Sequence, residues 1–352
     1  MKQAAAIWKR PAFYGCIFFL AVFAIALANP GTVTEAAKAG LRLCGAVVIP
    51  SLFPFFVLAN LFVGLGYHHY MASALRPLMK PLFGLRSAAA GALVLGAVGG
   101  YPIGAATIFR LYDRGELSAS QASRALTFCN NAGPGFLIGV VGLSLLGSVR
   151  LGLLLWGVHL LSALLVGIFA TRPDGSFTVL KQKSPSDPKP SFSSVFVESV
   201  TDGAGTMLRV CGFLVFFSVV LAFLQETPFW SLAAKITPSG PALLDGVVEL
   251  STGVGHLMNI ARPQSEILTV SAFLLGWGGL CVHCQVLSLR GQREISMVPY
   301  WLGKLLQGLL SAVLVRLITA PSPASLLMLM VLVFPGFFFR KVRTGKQALP
   351  GV

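Results

Sequence analysis

The chain has 352 residues, 55% of them hydrophobic and only 11% charged, and its mean hydropathy is +0.79. An ordinary soluble domain carries about 25% charged residues, so a soluble enzyme or binding module is excluded. The net charge of +15 is not the footprint of a nucleic-acid partner. Lys and Arg fall in short clusters beside apolar runs (Lys9 and Arg10; Arg76, Lys80 and Arg86; Arg110, Arg114 and Arg124; Arg340 to Lys346), where the positive-inside rule places them.

Runs without charge cover 11–34, 43–66, 87–109, 125–149, 151–171, 210–225, 267–282 and 317–339. About 20 apolar residues suffice to cross the hydrocarbon. Only helices and closed barrels satisfy their backbone there, and these runs are too long and too uniformly apolar for barrel strands. The expected fold is an all-α polytopic membrane protein, in contact with membrane lipids. Lys9, Arg10 and the apolar run 12–28, ending in "AIALA", imitate a secretory signal. The run is long for one, and further spans follow, so a retained first helix with a cytoplasmic amino terminus is expected.

Residues 87–109 hold "GGYPIG" between Arg86 and Arg110. A helix interior should avoid both glycine and proline. A helical hairpin turning at Gly99, Gly100, Tyr101, Pro102 and Gly104 would return both arginines to one side. A straight helix whose glycines give close packing is the alternative. In 125–149, "NNAGPG" puts Asn130, Asn131, Gly133 and Pro134 in an apolar segment. Pro134 cannot donate to residue 130, so the helix breaks. The freed N–H groups and the amides suit a small anionic solute, although amides that tie two helices together remain the competing reading.

The polar stretch 172–194, rich in Pro, Ser and Lys, reads as a cytoplasmic linker. It separates an amino-terminal transmembrane half, 1–171, from a carboxy-terminal half, 195–352. "LRLCG" at 41–45 recurs as "LRVCG" at 208–212, and "GGYPIG" aligns with "GGLCVH" at 278–283. These landmarks indicate an internal repeat and predict a second hairpin over 267–290, with Gly278, Gly279 and His283 as solute candidates. Glu249 and Thr252, in a moderately apolar stretch, are candidates for the coupling ion. An ionisable group inside a span is a functional hypothesis in its own right, and an interfacial helix is the alternative. "CVHC" at 281–284 lacks a fourth ligand for a closed zinc site, so no metal or cofactor is expected. No span holds a catalytic set, so no enzymatic activity is expected.

At "SLFPFFVLANLFVGLG" (51–66), "GGYPIGA" (99–105), "FCNNAGPGFLIG" (128–139), "GVVELSTG" (246–253) and "FLLGWGGLCVHCQV" (273–286), the chain resembles the sporulation integral membrane proteins of the YlbJ (SpoVV) type. The resemblance implies a nucleoside-recognition, or gate, domain. It also implies a fold like that of concentrative nucleoside transporters, with re-entrant hairpins and broken helices. It further implies a bacterial cell membrane and a role in spore formation, moving dipicolinate across the outer forespore membrane. The placement of the basic clusters, by contrast, is what puts both termini in the cytoplasm. A nucleoside or other small-solute carrier is an alternative, as is a non-transporting scaffold. A second copy of the chain or other sporulation membrane proteins are the macromolecular partners expected.

Overall fold

The computed structural model describes residues 11–170 and 191–333; the two termini and most of the 172–194 linker lie outside them. Among the described residues there is no strand. The protein is an all-α polytopic membrane protein, with five helices among the described residues long and apolar enough to cross a membrane: Pro30–Gly64, Val149–Phe169, Phe192–Gln225, Gln264–Arg290 and Val298–Thr319.

The elements are α1 (Pro11–Ala28), α2 (Pro30–Gly64, with a π turn at Cys44–Val48), α3 (His68–Phe83), α4 (Ala89–Gly99), α5 (Ile103–Asp113), α6 (Ala119–Cys129), π-helical α7 (Gly135–Leu145) and α8 (Val149–Phe169). After the linker come α9 (Phe192–Gln225), α10 (Pro228–Ile236), α11 (Gly240–Val248), α12 (Leu250–Leu257), α13 (Gln264–Trp277), α14 (Gly279–Arg290), α15 (Val298–Thr319) and α16 (Pro323–Val333). Local chemistry sets several ends. Ser118 and Gln121 form a reciprocal capping box at the start of α6, and left-handed Gly84 closes α3, a conformation that glycine adopts without a Cβ penalty. The charge-free run 317–339 is not one helix: α15 ends at Thr319, and α16 begins at Pro323, two residues past Pro321.

From α2 onward the order of elements appears twice. A long helix (α2, α9) is followed by a short one (α3, α10), a hairpin (α4–α5, α11–α12), a broken helix (α6–α7, α13–α14) and a spanning helix (α8, α15). The long helices pack on each other, with the Cys44 Sγ 3.8 Å from the Cys211 carbonyl, so the "LRLCG" and "LRVCG" landmarks meet.

Glycines make both hairpins. A Cβ on Gly96 would lie 3.0 Å from the Gly104 Cα, and one on Gly253 would lie 2.1 Å from the Gly246 Cα. In straight helices these pairs would stand about 12 and 10 Å apart. The chain therefore doubles back at residues 100–102 and again at Glu249.

The second hairpin is thus 240–257, not 267–290. Segment 267–290 belongs to a broken helix that runs from one end of the molecule to the other. At one end Ser265 accepts from Arg316, and Glu266 accepts from Ser239. At the other, Arg293 forms a bidentate ion pair with Asp113 at 2.6 and 2.7 Å. Gly278 and Gly279, with φ of 89° and 79°, redirect the axis without reversing it. α13 packs along α15, whereas α14 packs on α9, α11 and α5. The counterpart of "GGYPIG" is therefore the turn at Glu249.

The two hairpins enter from opposite ends. The base of α4–α5 lies with Asp202 and Arg293, through Arg110 at 2.8 Å and Asp113. The base of α11–α12 lies at the far end with Glu266. Arg114 and Arg293 consequently share one end, and the repeat is inverted without moving either away from the other basic residues.

Candidate functional site

Both hairpin turns and both helix breaks converge on one place. Gly100, at φ 88°, fits its backbone against Gly133: a Cβ on Gly100 would lie 3.0 Å from the Gly133 N, and one on Gly133 would lie 3.0 Å from the Gly100 Cα. In the second repeat, a Cβ on Gly279 would lie 3.0 Å from the Leu250 N. Each turn therefore rests on the break of its own repeat. Tyr101 crosses between repeats, donating from its hydroxyl to the Leu275 carbonyl at 2.9 Å, and it stands beside Gly278.

Here lies a cavity of about 80 Å³. The first repeat contributes Tyr101, Ala132, Gly133 and Phe136, and the second contributes Glu249 to Ser251, Cys281, Val282 and Gln285; α2 and α9 close it with Ser51, Leu52, Val210 and Leu214. The lining comes from the amino-terminal ends of α7, α12 and α14, so the positive ends of three helix dipoles face it.

Glu249 is buried at this cavity. Its carboxylate accepts from the Ser251 N at 3.0 Å, the Thr252 N at 2.8 Å and the Thr252 Oγ1 at 2.7 Å. It is the amino-terminal cap of α12, and it neutralises that dipole from within. Thr252 serves Glu249 and does not line the cavity.

Several expected solute ligands have other duties. Asn130 and Asn131 are fully buried and do not line the cavity. The Asn130 Oδ1 accepts from the Ala105 N at 3.3 Å, and its Nδ2 donates to the Tyr300 hydroxyl at 3.4 Å. Asn131 donates to the Phe128 carbonyl and accepts from the Gln307 Nε2 at 2.9 Å. The reading as amides that tie helices together therefore describes both in this conformation. Gly99 and Gly104 serve packing, the latter against the Cys129 carbonyl. Pro102 and Pro134 stand at the starts of α5 and α7. His283 is buried between the rings of Trp277 and Tyr300, with centroids at 4.3 and 5.2 Å. Cys281 is a buried free thiol in the lining.

The residue that composition hid is Lys304. It is fully buried in the middle of α15 and donates to the Asn130 carbonyl at 2.8 Å and to the Gln307 Oε1 at 2.5 Å. Its Nζ sits 4.9 Å from the Tyr101 ring centroid. A search for charge-free runs passes over α15 because Lys304 and Arg316 interrupt it. The signal that finds it is polar spacing: Tyr300, Lys304, Gln307 and Ser311 stand at i, i+4, i+7 and i+11, one face of a helix, and all four are buried.

Residues 46–173 match the Gate family model, described as nucleoside recognition. That match runs from the π turn of α2 through α8, which is the first repeat. Along 333 residues the chain is 28% identical to the sporulation integral membrane protein YlbJ of Bacillus subtilis (strain 168), covering 86% of this chain and 82% of that one. The resemblance to YlbJ spans both repeats. No solved structure matches the chain. The protein is thus an integral membrane protein similar to a sporulation protein, and a segment of its first half matches the nucleoside-recognition family model.

Proposed function

We propose that the protein is a carrier for a small solute, acting in spore formation and moving its solute without chemical change. The observation that carries this reading is the meeting of two inverted hairpins and two broken helices at one central cavity. Paired interrupted segments in corresponding positions of two repeats are where secondary transporters hold their solute. Inverted repeats supply two halves that can rock about that cavity. A packing scaffold needs neither the breaks nor the cavity.

The solute we propose is a small dicarboxylate, dipicolinate, in the outer forespore membrane. The amino-terminal ends of α7 and α14 face the cavity without a carboxylate cap of their own, and each end contributes up to about 2 kcal/mol toward an anion in partly buried geometry. Two such ends match two carboxylates. A second reading, an uncharged nucleoside, is favoured by Glu249, whose carboxylate in the lining repels an anion, and by Gln285 and Ser51 beside it.

Purified protein in liposomes decides between them. Saturable uptake of radiolabelled dipicolinate, resisted by excess uridine, is the expected result. Saturable uridine uptake with none of dipicolinate would replace the dicarboxylate by the nucleoside. Flux of neither, from correctly inserted protein, would return the chain to a scaffold role.

A further inference from the structure

We propose that Lys304 is a proton-binding site that couples solute movement to proton movement, an inference that rests on the carrier reading above. The site is built for an amine that exists in two states. The Nζ donates to the Asn130 carbonyl at 2.8 Å and to the Gln307 Oε1 at 2.5 Å. A neutral amine has two N–H groups and a lone pair, so these two acceptors satisfy it. On protonation the lone pair takes up the proton, no other bond changes, and a third N–H forms. The Tyr101 ring, 4.9 Å away, receives that charge on its face. Both forms therefore fit the same pocket.

Among the described residues no carboxylate faces Lys304 to fix it in the charged form. From the hairpin it meets Tyr101, from the end of α6 the Asn130 carbonyl, and from its own helix Tyr300 and Gln307. The buried imidazoles of His159 on α8 and His283 on α14 complete the surroundings. Along α13, which packs the length of α15, the acid is Glu266, at the far end with Arg262 and Ser239. On α6, Arg124 lies toward the basic end, where it donates to the Gly84 carbonyl. Glu249 lines the cavity, but its oxygens accept from the start of α12. A buried ammonium without a counter-ion is costly.

The cavity provides the missing counter-charge. Tyr101 lies between Lys304 and the solute space, lining the one and receiving the other. An anion seated there stabilises the protonated form, and by reciprocity the protonated form binds the anion more tightly. Loaded carrier then holds proton and anion together, and empty carrier holds neither.

The experiment uses full-length protein in liposomes with the membrane potential clamped at zero and radiolabelled dipicolinate or uridine as probe. With a gradient of one pH unit, one proton per solute sustains about tenfold accumulation. Wild type should reach it. Lys304→Met should only equilibrate the probe, and its exchange against internal probe should need about tenfold more solute for half-saturation and lose the pH dependence that wild-type exchange shows. Accumulation by Lys304→Met equal to wild type would overturn the proposal. Equilibration without accumulation by wild type would overturn it too and leave the carrier reading standing. If neither probe enters wild-type liposomes, the carrier reading falls. The proton site is then judged from melting temperature against pH in detergent: a step present in wild type and absent from Lys304→Met supports it, and identical profiles sink it. Should the Met variant not insert, Lys304→Gln takes its place in every measurement.

Discussion

Replacing Asn130 by Ala tests whether the first hairpin is held by the first break. Ala105 is the third residue of α5, so its N–H has no acceptor within its own helix. The Asn130 Oδ1 supplies one from a separate segment, at 3.3 Å. The substitution leaves that buried N–H without a partner, at about 1–3 kcal/mol. It also removes the longer 3.4 Å contact to the Tyr300 hydroxyl and opens a small void, for a total of about 2–4 kcal/mol. The Lys304 bond survives, because it goes to the backbone carbonyl. Purified Asn130→Ala should therefore melt several degrees below wild type in detergent, and the surviving protein should bind solute with affinity within about threefold of wild type. An unchanged melting temperature together with a tenfold loss of affinity would refute this reasoning and place the amide on the solute.

Gly96→Ala should prevent stable folding, since its Cβ would fall 1.7 Å from the Cys129 carbonyl, whereas Gly157→Ala, with open space around it, should be neutral within about 1 kcal/mol by thermal melting. His256, half-exposed near the far end, is held above its ordinary pKa by its hydrogen bond to Asp245. That pair stabilises in full below the unfolded value near 6.5 and loses its contribution as pH rises through the folded one, so the melting difference between wild type and His256→Phe should shrink from pH 6 to pH 9. Single cysteines at positions 114 and 293, in a background without the native thiols, should label from the same face of the membrane, and one at 235 from the opposite face. Labelling of 114 and 293 from opposite faces would contradict the end-to-end course of 264–290.

Topology shows where the information in the sequence stops. Charge placement keeps Arg114 and Arg293 together, while inversion of the repeat with a hairpin at 267–290 would force them apart. Both hold once 267–290 is a broken helix and the second hairpin is 240–257. The sequence carried the glycines of both, but a Gly-Gly pair reads alike whether the axis reverses or merely bends. The difference lies in what each arm packs against: Gly246 against Gly253, and Gly276 against Gly308.

Composition alone determined the class of fold, because a charge-free run of membrane length has one backbone solution in lipid. Proline alone determined the break at residue 134, because its penalty is local, whereas the glycines near 100 and 278 pointed to interruptions that a straight, closely packed helix could also have held. The duties of the polar groups were decided by tertiary structure. In a string of apolar residues Asn130 and His283 look like solute ligands, and Glu249 like a site for the coupling ion. Their partners, Ala105 and Tyr300 for Asn130, the rings of Trp277 and Tyr300 for His283, and the start of α12 for Glu249, come from the fold. Lys304 is the converse case: an ordinary lysine in the sequence becomes a buried amine near the cavity because α6, α8 and α13 close around α15. Hydrogen bonding is satisfied by whatever is nearest in space, and only packing decides which distant residue that is.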